Sequence, residues 1–183
     1  MRFLAVIWFV TLVSSAVSHA ATYRFNPDKG DVSFLAKGKP ALISIKGSGE
    51  GLSGQLTERA GKLSGVIQFE LKKLKTGIEL RDQHLKDKYL EVAKHPQAEL
   101  KIDEINAPKP GEKFAFEGTL SLHGASQTVR GEAKFTANGN VSTVSAEFPI
   151  KLSQFGIPVP SFQGITVAED VTVKVDAPVG VGD

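Results

Sequence analysis

Apolar residues recur at every second position along most of this chain, and this alternation restricts the fold to a protein built from sheets. Successive side chains of a strand point to opposite faces, so the pattern predicts strands with one buried and one solvated face. The runs that alternate in this way are 31–36, 41–47, 63–71, 97–105, 114–122, 128–136, 144–152 and 165–175. Asn138-Gly139 is a strong signal for a tight hairpin between two of these runs.

About eight strands at this spacing, without long helices between them, predict an all-β sandwich or barrel. A closed barrel of about eight strands either fills its interior with side chains or keeps room for one small ligand. The alternation shows which side chains share a face and leaves both arrangements open. The apolar, proline-rich stretch 156–164 also leaves three roles open: it folds back on the barrel, lines an opening or meets a partner.

One charged segment, residues 79–94, interrupts the strand pattern. Leu85, Tyr89 and Val92 are spaced as on one face of a helix, and Pro96 follows closely. We therefore expect a short helical insertion at 79–94 that crosses the mouth or the side of the barrel.

The first twenty residues are typical of a secretory signal peptide. Arg2 precedes an apolar run over 3–13, which is too short to cross a bilayer, and Ser18-His19-Ala20 has the small residues of a cleavage site. We expect residues 1–20 to be removed after Ala20, which leaves 21–183 as a single domain without a membrane span. An exported chain with no cysteine is compatible with the bacterial periplasm.

Several functional classes are disfavoured by composition and motifs. The net charge is only +2 and the lysines are scattered, so no nucleic-acid partner is expected. His84, His95 and His123 show no metal-binding spacing, and the absence of cysteine removes thiolate sites. Neither a nucleophile elbow nor a nucleotide-binding loop is present, and we predict that the chain is not an enzyme.

The cluster Arg81-Asp82-Gln83-His84-Leu85 has two interpretations. Arg81 and His84 could bind the oxygen atoms of a phosphate or carboxylate at a pocket mouth. Alternatively, Arg81 and Asp82 could tie the insertion to the barrel through hydrogen bonds. The residues by themselves favour the second interpretation.

Three blocks of sequence resemble the signature of the YceI-like family, and the similarity extends over most of 22–176. The blocks are Leu74-Lys75-Thr76-Gly77 with Arg81-Asp82-Gln83-His84-Leu85, Tyr89-Leu90 and Lys94-His95-Pro96-Gln97-Ala98; then Gly118 to Val129; then Phe148 to Ile157. The first block is the specific one, because strand similarities by themselves are common.

The resemblance implies an extended, lipocalin-like antiparallel β-barrel with a long apolar cavity. It also implies a periplasmic protein that carries or sequesters a long-chain amphiphile such as a polyisoprenoid or an isoprenoid quinone. No catalytic activity and no cofactor other than such a bound lipid or quinone are implied. A filled barrel that serves as a structural or interaction protein of the cell envelope remains the alternative, and a homodimer remains open.

The resemblance and the alternation together define a candidate ligand site. Its head-group residues are Arg81, Asp82 and His84. Its tail residues are Phe69, Leu85, Leu90, Phe116, Leu120, Leu122, Phe148 and Ile150.

Overall fold

Eleven strands and one short α-helix form within residues 20–39, 44–138, 141–162 and 165–182, which are the residues that the computed structural model describes. The strands are β1 Ala21–Phe25, β2 Asp31–Lys39, β3 Ser44–Glu50, β4 Leu52–Arg59, β5 Lys62–Glu70, β6 Gln97–Asn106, β7 Lys113–Leu122, β8 Ala125–Asn138, β9 Val141–Lys151, β10 Ser161–Phe162 and β11 Ile165–Gly182. The predicted signal segment up to His19, the turn residue Gly139 and residues 163–164 of the proline-rich stretch lie outside the described residues, so predictions about them stay predictions.

Eight of these strands close into an antiparallel barrel in the order β1-β4-β5-β6-β7-β8-β9-β11. The ring closes because β1 pairs with the end of β11, with Tyr23 opposite Val181 and Phe25 opposite Val179. Closure removes the unpaired edges that an open sheet would expose. The predicted all-β barrel fold is therefore confirmed.

The long strand β11 pairs with different strands along its length. Its final residues pair with β1, whereas Val171 to Asp176 pair with β2, which in turn pairs with β3. The far edge of β3 meets the connection between β5 and β6: Ser48 and Lys75 exchange backbone hydrogen bonds of 2.9 and 2.8 Å. Residues 71–96, called the β5–β6 connection below, thus complete the barrel wall at this end.

The helix of the connection is shorter than predicted. It comprises α1 Glu79–His84 and a wider π-helical turn at Leu85–Tyr89, and its last cap residue is Leu90. Glu91 has a φ of +44°, which takes the backbone out of the right-handed helical region, so the predicted 79–94 helix ends before this residue. Leu85 and Tyr89 in the helical turn, and Val92 just beyond it, nevertheless all pack against the core.

The barrel interior is filled at one end only. Away from the β5–β6 connection, side chains such as Leu56, Leu63, Ile102 and Phe135 are buried at 9% exposure or less and pack the interior. Toward the β5–β6 connection, the inward-facing side chains surround an open volume. Both arrangements that the alternation left open are therefore present, one in each half of the barrel.

Candidate functional site

An apolar cavity of about 480 Å³ lies in the hollow half of the barrel, under the β5–β6 connection. Pockets of this volume hold small organic ligands. The walls come mainly from alternate positions of the strands, among them Val32, Phe34, Ala36, Leu100, Val144, Ala146, Val171, Val173 and Val175. The side chains with polar atoms in its lining are Ser33, Gln68, Thr76, Arg81, His84, Tyr89 and Ser161.

The structure brings most of the predicted tail residues to this cavity. The predicted tail residues that line it are Phe69, Leu85, Leu90, Leu120, Leu122, Phe148 and Ile150. Phe116 does not reach the cavity: it is buried at 7% exposure and packs edge-on against Phe148, with ring centroids 5.9 Å apart. Phe116 therefore belongs to the filled half, because alternation assigns a side chain to a face and not to a height along the barrel.

The β5–β6 connection forms the roof and the rim of the cavity. Leu71 and Leu74 are buried and line it from above. Ile78 and Leu80 also line it but are 54% and 56% exposed, so the cavity opens toward solvent beside α1. Large apolar side chains that remain exposed at an opening are typical of a surface that meets an apolar ligand or partner.

Two predicted head-group residues converge on Thr76 at this rim. Arg81 donates from Nε to Thr76 Oγ1 at 2.8 Å and from Nη2 to the Thr76 carbonyl at 3.0 Å. The backbone N–H and the hydroxyl of Thr76 donate to Asp82 Oδ1 at 2.6 and 2.5 Å. Arg81 and Asp82 thus brace the connection internally, because Thr76 belongs to it, whereas the structural interpretation expected them to tie it to the barrel.

Arg81 also lines the cavity, so it does not serve the brace alone. A guanidinium carries five N–H donors, and the two bonds to Thr76 leave the others for a ligand. His84 lines the cavity as well, whereas Asp82 is not among the lining residues. Burial by itself raises the pKa of Asp82. The hydrogen bonds that Asp82 accepts from Thr76, together with the positive charges of Lys86 and Arg81, outweigh this effect, so the pKa of Asp82 lies below its usual value.

Several residues of the cavity were not predicted from the sequence. The walls from β2 and β11, such as Phe34 and Val173, were visible in the alternation but carried no motif. Ile78 and Leu80 were not predicted because they precede the apolar helical face that begins at Leu85. Their side chains are more than half exposed at the cavity opening, unlike those of core residues.

A second cluster of polar side chains lies where the connection ends. The fold brings Glu91, His95 and His123 together, with one ligand atom of each within 4.8 Å of the others. The spacing along the chain gave no sign of this cluster, because His123 lies in the turn between β7 and β8.

None of the helices in the described part of the chain combines the length and the apolar character needed to span a bilayer.

A closed antiparallel barrel with a ligand-sized apolar cavity under a helical cap defines a lipocalin-like class of barrel. The YceI-like domain model matches residues 23–179, and the chain belongs to this family. The resemblance found in the sequence is thereby confirmed.

Relatives and solved structures agree with this assignment. UPF0312 proteins of Pectobacterium carotovorum and Pectobacterium atrosepticum are 36% and 34% identical over 84 residues, which cover 42% of this chain and 43% of each relative. The similarity thus spans less than half the length of these relatives. Among solved structures, Burkholderia cenocepacia BcnA superimposes with a TM-score of 0.69 at 22% identity, covering 84% of this chain and 96% of BcnA.

A second solved structure is described as a polyisoprenoid binding domain from Saccharophagus degradans. It superimposes with a TM-score of 0.67 at 16% identity and covers 87% of this chain and 98% of that domain. At these identities the superpositions establish the shared barrel fold.

Proposed function

We propose that residues 21–183 form a periplasmic binding protein that encloses the tail of a long-chain amphiphile, such as a polyisoprenoid or an isoprenoid quinone. The signal segment 1–20 would direct export, and the bound lipid would be carried or sequestered without being chemically changed. The observation that carries this proposal is the apolar cavity of about 480 Å³, which opens to solvent beside α1. The similarity to a polyisoprenoid binding domain supports the same class of ligand.

The chemistry of the lining suits a lipid tail. Each buried CH₂ group contributes about 0.8 kcal/mol to binding, so an apolar chain needs few polar contacts to be held. In the proposed complex, Arg81 and His84 contact the head group, because they are the basic side chains of the lining. Asp82 acts indirectly, by holding Thr76 and through it the orientation of Arg81.

The proposal is tested by native mass spectrometry of untagged protein from the periplasm of its host. We expect a mature chain that starts at Ala21 and carries one co-purifying amphiphile. The same protein is then stripped of lipid and reloaded from vesicles that contain an isoprenoid quinone.

A pair of matched variants ties the lipid to the cavity. Ala98→Phe places a ring inside the cavity, because Ala98 lines it, whereas Ala115→Phe places the same ring on the exposed outer face of β7. We expect Ala98→Phe to lower quinone affinity at least about tenfold, or about 1.4 kcal/mol, and Ala115→Phe to leave it unchanged. Equal binding by the two variants, or a bare wild-type chain that takes up no lipid, would contradict the proposal.

A further inference from the structure

We propose that Glu91, His95 and His123 form a binding site for a divalent transition metal ion of the zinc type at the end of the β5–β6 connection. The three ligand atoms lie within 4.8 Å of one another, and all three residues are half buried. The proposal concerns residues outside the lipid cavity and does not depend on lipid binding.

The hydrogen bonds of His123 determine which of its nitrogen atoms is free to bind a cation. Nδ1 lies 3.0 Å from the backbone carbonyl oxygen of Phe155, which can only accept, so Nδ1 carries the proton of this bond. In the neutral ring, Nε2 then carries a lone pair, yet it lies 3.1 Å from Oε2 of the Glu91 carboxylate. Two acceptors at this distance need a cation between them, either a second ring proton or a metal ion.

The position of His95 favours the metal ion. A proton shared with Glu91 would need no third group, but the His95 ring lies against the His123 ring, with centroids 4.9 Å apart and planes inclined by 59°. The site leaves room for it: a Cβ on Gly124 would approach His95 Cε1 to 2.9 Å. Metal-binding histidines commonly donate their other N–H to a backbone carbonyl, as His123 does here to Phe155.

The backbone of Glu91 is also in an unusual conformation. Its φ of +44° occurs just after the helix cap Leu90, a position that glycine usually occupies. A glutamate is held there against its conformational preference, and strained residues of this kind concentrate at functional sites. The conformation directs the Glu91 carboxylate toward His123.

The donor set selects the class of metal. Two imidazoles and one carboxylate, with no thiolate, suit Zn²⁺ and similar divalent ions better than Mg²⁺ or Ca²⁺, which prefer oxygen ligands. Ligand atoms about 2.0–2.1 Å from Zn²⁺ in a tetrahedron are about 3.3 Å apart, so small side-chain rotations would complete the site. Lys94 holds the other oxygen of Glu91 at 2.5 Å and is itself 70% exposed, so it leaves Oε2 to the metal.

A metal ion at this position would link two parts of the barrel. Glu91 and His95 belong to the connection that roofs the cavity, and His123 belongs to the turn between β7 and β8. The ion would fasten the end of the roof to the barrel wall.

The test is a titration of untagged mature protein, freed of metal with EDTA, with ZnCl₂ in an isothermal calorimeter. We expect one saturable site per chain and a melting temperature that rises with Zn²⁺ but not with equal Mg²⁺, because an ion bound only by the folded state stabilises it. X-ray absorption of the zinc-loaded protein should show nitrogen and oxygen ligands at about 2.0–2.1 Å with two imidazoles.

His95→Gln and Glu91→Gln should each lower zinc affinity at least about tenfold, since even the loss of an outer partner of a zinc ligand has this effect. Glu112→Gln, an exposed glutamate in the loop before β7, is the control and should bind zinc like the wild type. Thermal melts in EDTA establish that each variant folds. Absence of saturable zinc uptake, or undiminished affinity in folded His95→Gln, would overturn the proposal and leave Glu91 and His123 as an ordinary ion pair.

Discussion

Thr76 shows why two interpretations of the same sequence motif were hard to separate. All three of its polar backbone and side-chain atoms are engaged: the amide and hydroxyl donate to Asp82, while the hydroxyl and carbonyl oxygens accept from Arg81. One small residue therefore joins both charged side chains into a brace and also places Arg81 at the cavity. A motif of this kind has a structural part and a candidate binding part, and they occupy adjacent residues.

A second residue-scale feature, the pair Tyr23 and Glu58, leads to a prediction at high pH. Tyr23 donates to Glu58 Oε2 at 2.9 Å, and burial, followed by this bond and the charge of Glu58, raises the pKa of Tyr23 to about 12. A raised pKa means that the folded state favours the protonated phenol. The resulting stability is fully present below about pH 10, the value for an unfolded tyrosine, and is lost as pH rises through about 12.

We expect ultraviolet absorbance of tyrosinate to show one late titration in the wild type that disappears in Tyr23→Phe. Between pH 10 and 12 the free energy of unfolding should fall less in Tyr23→Phe than in the wild type. Glu58→Gln should bring the pKa only part of the way back to its usual value, because burial is the larger cause. A late titration that persists in Tyr23→Phe would show that the assignment is wrong.

Among the elements, the β5–β6 connection depends most on a few polar contacts. Thr76→Val keeps the shape of the side chain but removes the hydroxyl that bonds to both Asp82 and Arg81. We expect the free energy of unfolding in urea to fall by about 1–3 kcal/mol, because a partly buried carboxylate and guanidinium lose a partner. Hydrogen exchange should speed up within 78–90 before it does in the strands.

Thr128→Val is the matched control, since Thr128 is an exposed position on β8. It should change stability by no more than about 0.5 kcal/mol. If Thr76→Val is as stable as this control, the brace contributes nothing, and the role of Arg81 would have to lie in the cavity.

The strands and the helical insertion were predictable because each leaves a local period in the sequence. The end of the helix was not predictable, because nothing in the amino-acid sequence shows that Glu91 adopts a positive φ. The meeting of His95 with His123 was also hidden, since it depends on how the connection lies across the β7–β8 turn. Periodicity predicts which face a residue occupies, whereas tertiary structure determines its neighbours.

For the molecule as a whole, the division of the barrel into a filled and a hollow half separates stability from binding. Phe116 lies in the filled half and packs against Phe148, which belongs to the cavity wall. Phe116→Ala should therefore cost about 3–5 kcal/mol of unfolding free energy, the usual result of truncating a buried aromatic residue. Quinone affinity of the protein that remains folded should stay unchanged.

The comparison variant is Leu120→Ala, four residues further along β7, where the side chain lines the cavity. It should alter quinone affinity in addition to stability. Chemical denaturation and quinone uptake are measured on both variants, and a loss of uptake in folded Phe116→Ala would show that the two halves are not independent.

The pairing of β11 has a consequence for the order of folding. This strand forms a ladder with β9 on one side and with both β2 and β1 on the other, so it pairs the end of the barrel sequence directly with its beginning. Contacts between residues so distant in sequence are slow to form, because a long loop must be closed before they are made. While the chain is being synthesised and β11 has not yet emerged, neither the ring nor the ligand chamber inside it can exist. Any lipid in the chamber must therefore be acquired after β11 has been made and has paired.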